Sequence, residues 1–119
     1  MLQDFADRDR SGILNLTAAG LTELPPEIGD LTWLSALLMG ENQLTELPPE
    51  IGNLTNLHRL GLGRNQLTDL PPEIGNLTNL AFLNLDDNQL TKLPAEIWNL
   101  TNLVDWSRHA HVFSELVRC

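Results

Sequence analysis

The sequence predicts an α/β repeat fold from three observations: a gapless internal period of 23 residues, apolar spacing that switches within each period, and a proline pair recurring in three blocks. The blocks are LTELPPEIGDLTWLSALLMGENQ from Leu21, LTELPPEIGNLTNLHRLGLGRNQ from Leu44 and LTDLPPEIGNLTNLAFLNLDDNQ from Leu67. A partial fourth, LTKLPAEIWNLTNLVDW, starts at Leu90, while Leu14 and Leu16 lie one period before Leu37 and Met39. The array therefore has about five strand positions, the outer two imperfect.

Each block divides into a strand and a turn. Leu60 and Leu62 are spaced by 2, which turns both inward from a strand and leaves Arg59, Gly61 and Gly63 on the opposite face. Leu70, Ile74, Leu77 and Leu80 follow at steps of 4, 3 and 3, which suits a helical or 3₁₀ turn. Pro71 and Pro72 fix φ and lack the N–H that a first helical turn leaves unpaired, and Glu73 then lies near the positive end. Pro25-Pro26 with Glu27 and Pro48-Pro49 with Glu50 repeat the device. Asn42, Asn65 and Asn88 carry amides with two donors and an acceptor, suited to satisfying backbone groups where the chain turns inside the stack.

A stack of such units exposes leucine at its ends unless it is capped. Residues 1–10 depart from the repeat, with Leu2, Phe5, Ala6 and Asp9 at helical spacing. Residues 105–119 depart as well: strict register would place Arg108 and His111 where Leu85 and Asn88 stand, and burial of charge opposes that. Leu103, Trp106, Ala110, Phe113 and Val117 instead form an apolar helical stripe, and Trp98, replacing the glycine of Gly29, Gly52 and Gly75, adds bulk beside it. The expectation is one domain, 1–119, with helical caps at 1–10 and 105–119 around repeats at 11–104. Met1 and the two caps are read as marking a complete unit.

The series Leu57-x-x-Leu60-x-Leu62-x-x-Asn65-x-Leu67 recurs at Leu34, Leu37, Met39, Asn42 and Leu44, and at Leu80, Leu83, Leu85, Asn88 and Leu90. Over residues 11–106 the chain resembles the leucine-rich repeat family, and the LPPEIGNLTNL segment is similar to 23-residue repeats of bacterial, scribble-type and Roco-type proteins. The resemblance implies a short solenoid with a concave parallel β-sheet, a helical or 3₁₀ convex side, and binding of another protein or a peptide.

Composition narrows the function further. A formal charge of −9 disfavours bulk attraction to nucleic acid or anionic lipid, and no apolar run approaches membrane-spanning length. MLQDFADRDR has neither the basic start nor the apolar core of a secretory signal, so a cytoplasmic location is expected. The chain is read as a monomer in which Cys119, the one cysteine, cross-links two copies only on oxidation. Asn15-Leu16-Thr17 and the repeats of N-L-T at 53, 76 and 99 match a glycosylation sequon but are read as structural.

Chemistry-bearing motifs are absent. GLGRN belongs to the strand repeat rather than to a phosphate cradle. His109 and His111, near Asp105 and Glu115, would point apart by about 200° on a helix, which argues against a shared metal. Asp86 and Asp87 are adjacent carboxylates without an acid-base partner, and His58 is a lone side chain. No cofactor and no catalysis are expected; an enzyme built on the histidine cluster is the least favoured reading.

The blocks at Leu44 and Leu67 agree at 17 of 23 positions, and the six differences are Glu46/Asp69, His58/Ala81, Arg59/Phe82, Gly61/Asn84, Gly63/Asp86 and Arg64/Asp87. Variation clusters on the strand, as expected of positions tailored to a ligand rather than fixed by packing. Stacked strands give rows Ile13, Ala36, Arg59, Phe82; Asn15, Leu38, Gly61, Asn84; and Thr17, Gly40, Gly63, Asp86. The predicted partner-binding residues are Leu38, Arg59, Phe82, Asn84 and Asp86 with Glu41, Arg64 and Asp87 beside them; Leu38 and Phe82 are expected to be exposed on either side of a glycine dip. The alternatives are a regulatory unit acting beside a GTPase or other effector domain, and a scaffold with no dedicated partner.

Overall fold

The computed structural model describes residues 12–104. Each coil contributes one three-residue strand and one five-residue 3₁₀ turn: β1 (Ile13–Asn15), η1 (Pro26–Asp30), β2 (Ala36–Leu38), η2 (Pro49–Asn53), β3 (Arg59–Gly61), η3 (Pro72–Asn76), β4 (Phe82–Asn84) and η4 (Ala95–Asn99). The strands form one parallel sheet in the order β1-β2-β3-β4. Its register pairs Ile13 with Ala36, Ala36 with Arg59 and Arg59 with Phe82, so the expected rows form with the sequence period as their step.

Where the next strand position would follow, the Val104 N–H donates to the Ala81 carbonyl at 2.9 Å, repeating the bonds from Ala81 to His58 and from His58 to Ser35. The ladder thus reaches the last described residue. The expected fifth strand position, the caps at 1–10 and 105–119, and the His109 and His111 cluster lie outside the described residues.

The turns are 3₁₀ rather than α. Ile51 N–H donates to the Pro48 carbonyl at 3.0 Å and Leu54 N–H to that of Ile51 at 3.2 Å, both closing i→i+3 rings. Pro48 stands at φ −71° and ψ 151°, the extended state that a following proline imposes, so Pro49 opens the turn with φ already set. The fourth turn forms on Pro94 alone, with Ala95 in place of the second proline. One proline therefore suffices. A 3₁₀ rise of about 2.0 Å per residue carries five residues across the convex side in about 10 Å, farther than an α-helical turn of the same length.

Between the two sides lies a core of stacked aliphatic side chains, in which Leu37, Leu60, Ile51, Ile74, Leu57 and Leu80 are at most 1% exposed. The convex turns approach so closely that a Cβ on Gly52 would stand 2.8 Å from the Glu73 carbonyl oxygen and one on Gly75 2.7 Å from that of Glu96. Glycine is required there because the backbone of the next coil fills the space. Trp98 takes the equivalent place in η4 and is 62% exposed. Where Gly52 and Gly75 leave room for the backbone of the next coil, η4 therefore presents a bulky indole.

The asparagines carry the turn from sheet to outer flank. Asn65 accepts from Leu44 N–H at 3.0 Å and donates from Nδ2 to the carbonyls of Met39 (3.0 Å), Leu62 (3.0 Å) and Gly63 (3.3 Å). Asn88 repeats this toward Leu67, Leu62, Leu85 and Asp86, and Asn42 toward Leu21, Leu16, Met39 and Gly40. Each amide reaches back to the preceding coil, so the three form a polar spine beside the leucine core.

Candidate functional site: the concave face

Side chains of the strands alternate between core and surface. Ile13 is 50% and Phe82 38% exposed, while Leu14, Leu37, Leu60 and Leu83 between them are buried. On the outer row the Arg59 guanidinium lies over the Phe82 ring, 4.9 Å from its centroid. The pair exists because adjacent parallel strands set those two residues in register. It places a cation on an aromatic plate at an exposed site, a stacking worth about 0.5–1 kcal/mol.

Leu38, Glu41, Arg64, Asn84, Asp86 and Asp87 line a shallow trough of about 380 Å³ next to that row, floored by Gly40, Gly61 and Gly63. All eight residues expected to contact a partner therefore share one face: six around the trough and Arg59 with Phe82 beside it. Their chain separation would not bring them together without the stack.

Two details differ from expectation. Leu38 is half-buried rather than exposed, because its side chain leans over the neighbouring glycine: a Cβ on Gly61 would stand 3.4 Å from Leu38 Cδ2. That leucine covers part of the glycine dip, and Gly61 still lines the trough. Ala36, in the row expected to face solvent, is only 9% exposed, its methyl set between the larger Ile13 and Arg59 of the adjoining strands. The Asn84 amide covers Gly63 in the same manner and is pinned by accepting from Asp86 N–H at 2.9 Å.

The residues flanking the trough have an unusual backbone. Glu41, Arg64 and Asp87 all stand at φ 58°, with Ala18 at 55° one coil earlier, in the left-handed region that glycine and asparagine favour. Ala18, Glu41 and Arg64 donate their N–H to the next coil, Ala18 to Gly40 at 2.9 Å, Glu41 to Gly63 at 2.9 Å and Arg64 to Asp86 at 2.8 Å, which holds the conformation. Sequence reasoning missed this feature, for only Asp87 is of a type that signals it. Arg64 and Asp87 are also in reach of one another at 3.7 Å, but with side chains 71% and 55% exposed the pair contributes little.

Glu41→Gly is accordingly expected to stabilise the protein by roughly 0.5–1 kcal/mol, the relief of left-handed strain outweighing the added chain entropy of glycine. Asp87→Gly should gain less, aspartate being better tolerated in that region. Denaturant midpoints of the two variants check this, and equal gains would show that strain is not the cause.

Among the described residues no three His, Cys, Asp or Glu side chains gather as metal ligands. His58 Nδ1 lies 2.7 Å from the Asn56 carbonyl, a local contact away from the trough. No described helix is long and apolar enough to cross a membrane.

The family model for the leucine rich repeat matches residues 55–105. The chain is a leucine-rich repeat protein. A leucine-rich repeat protein of Leptospira interrogans is 38% identical, with a TM-score of 0.61 over 86% of this chain and 32% of that one. The leucine-rich repeat domain of APL1B is 25% identical, with a TM-score of 0.76 over 89% of this chain and 33% of that one. The plant peptide hormone receptor RGFR1, solved in complex with RGF2, is 39% identical, with a TM-score of 0.66 over 71% of this chain and 14% of that one. This leucine-rich repeat chain thus spans a third or less of the length of these three. No curated protein gives a significant match.

Proposed function

We propose that this leucine-rich repeat chain is a non-catalytic module that binds another protein or a peptide through its concave face. The observation that carries the reading is the gathering, on one surface, of four of the six positions at which the two central coils differ: Arg59/Phe82, Gly61/Asn84, Gly63/Asp86 and Arg64/Asp87. The complex of RGFR1 with its peptide hormone supports a protein or peptide partner. Arg59 and Phe82 supply the anchor, being a cation and an aromatic already in contact, and both residue types are enriched where interfaces concentrate their energy.

Size sets the strength. Four strands about 4.8 Å apart and four exposed residues across give a planar patch of roughly 190 Å², far below the roughly 800 Å² per partner of a standard specific interface. Strand contacts alone therefore bind weakly, and a tight complex recruits the flanking Glu41, Arg64 and Asp87. Affinity capture from the native host lysate, run with the wild-type chain and with the combined Leu38→Ala, Arg59→Ala and Phe82→Ala variant, tests the assignment. The captured partner is expected to be lost with the variant. Retention at unchanged affinity would overturn the concave reading.

A further inference from the structure

The outer flank holds a second groove, of about 510 Å³, over Leu24, Leu47 and the prolines of three successive coils. In each of these coils the chain reads carboxylate, Leu, Pro, Pro, carboxylate: Glu23 to Glu27, Glu46 to Glu50 and Asp69 to Glu73. Stacking turns that motif into an apolar floor with acidic rails on either side. Five carboxylates line the groove, Glu23, Glu46, Glu50, Asp69 and Glu73, and no Lys or Arg does among the described residues. We propose that this groove docks a lysine- and arginine-bearing extended segment of a partner protein, independently of the concave face.

The charge is not demanded by the fold. The carboxylates that follow the prolines sit at the start of a 3₁₀ turn, where a negative group is favoured. Those that precede the leucine have no such reason, because Lys92 occupies the equivalent position of the fourth coil and the turn η4 forms after it as in the others. Like charges repeated along a stack repel one another, so three in succession work against packing. The groove also stops where the charge changes sign, its lining ending with the third coil. Moreover, the one difference between the central coils that lies away from the strand and its flank, Glu46 to Asp69, keeps the carboxylate. An apolar floor takes the aliphatic stems of lysine and arginine while the rails take their charged ends.

The test uses the full chain and a fluorescein-labelled ten-residue peptide of alternating lysine and proline, followed by fluorescence anisotropy, with the glutamate-proline counterpart as a negative control. The double variant Glu46→Gln with Asp69→Asn is expected to weaken binding at least tenfold. Asp30→Asn with Glu96→Gln, two exposed carboxylates outside the groove lining, removes the same charge and should change affinity less than twofold. Lys92→Glu, which continues the acidic rail, should tighten binding severalfold, a gain that misfolding cannot mimic. Equal weakening by the two double variants would reduce the effect to net charge and overturn the proposal, as would absence of binding or an unchanged affinity in the Lys92→Glu chain. Substitution of Phe82 tests the concave reading separately and leaves this binding untouched.

Discussion

Leu60→Ala is expected to destabilise the protein by about 2–5 kcal/mol, while Arg59→Ala, its immediate neighbour, should cost less than about 1 kcal/mol. Leu60 is 1% exposed at the centre of β3, between Leu37 and Leu83 of the adjoining strands. Its walls belong to three different coils, each fixed by its own ladder, so they cannot collapse inward to fill the space a truncated side chain leaves. Arg59 loses its stacking on Phe82 and nothing from the core. Denaturant midpoints at unchanged slope decide the matter. Equal losses would mean that the strand does not face as described.

That contrast was readable in the sequence, because a spacing of two between Leu60 and Leu62 can only mean one inward face. So was the register of the rows, from the gapless period. Features made by contact between coils were not. The need for glycine at 52 and 75 comes from carbonyls of the following coil, Glu73 and Glu96, which no local pattern reveals. The left-handed backbone at Glu41 and Arg64 carries no signal in residue type, since hydrogen bonds to the next coil impose it. Leu38 looked exposed because its strand faces solvent, yet the absence of a side chain on Gly61 gives it a place to lie. The acidic groove was hidden for a further reason: of its carboxylates only Glu50 and Glu73 have a local role, at the start of a turn, and their sum with Glu23, Glu46 and Asp69 appears only when three coils are stacked.

Asn65→Ala is expected to cost about 3 kcal/mol, although it removes no charge and little apolar area. The loss is unevenly distributed. Of the carbonyls that Asn65 Nδ2 serves, that of Met39 keeps Asn42, that of Leu62 keeps Asn88 and that of Gly63 keeps the Glu41 N–H. The Leu44 N–H, by contrast, points at Asn65 Oδ1 in a buried place. Leaving one such donor unsatisfied costs about 1–3 kcal/mol, and the weakened carbonyl bonds and the small cavity add to it. Asn65→Asp separates the two halves of the amide: an oxygen remains for Leu44, but another now faces the carbonyls of Met39 and Leu62. Burial and those carbonyls favour the protonated acid, raising its folded-state pKa above the ordinary value of about 3.9. The penalty relative to wild type should therefore be smallest below about pH 4 and grow as pH rises through the raised folded-state value. Midpoints measured at pH 4 and pH 7 for Asn65→Asp, Asn65→Ala and the wild type test both statements. A penalty for Asn65→Asp that does not change with pH would show that the amide's donor is not what the spine requires.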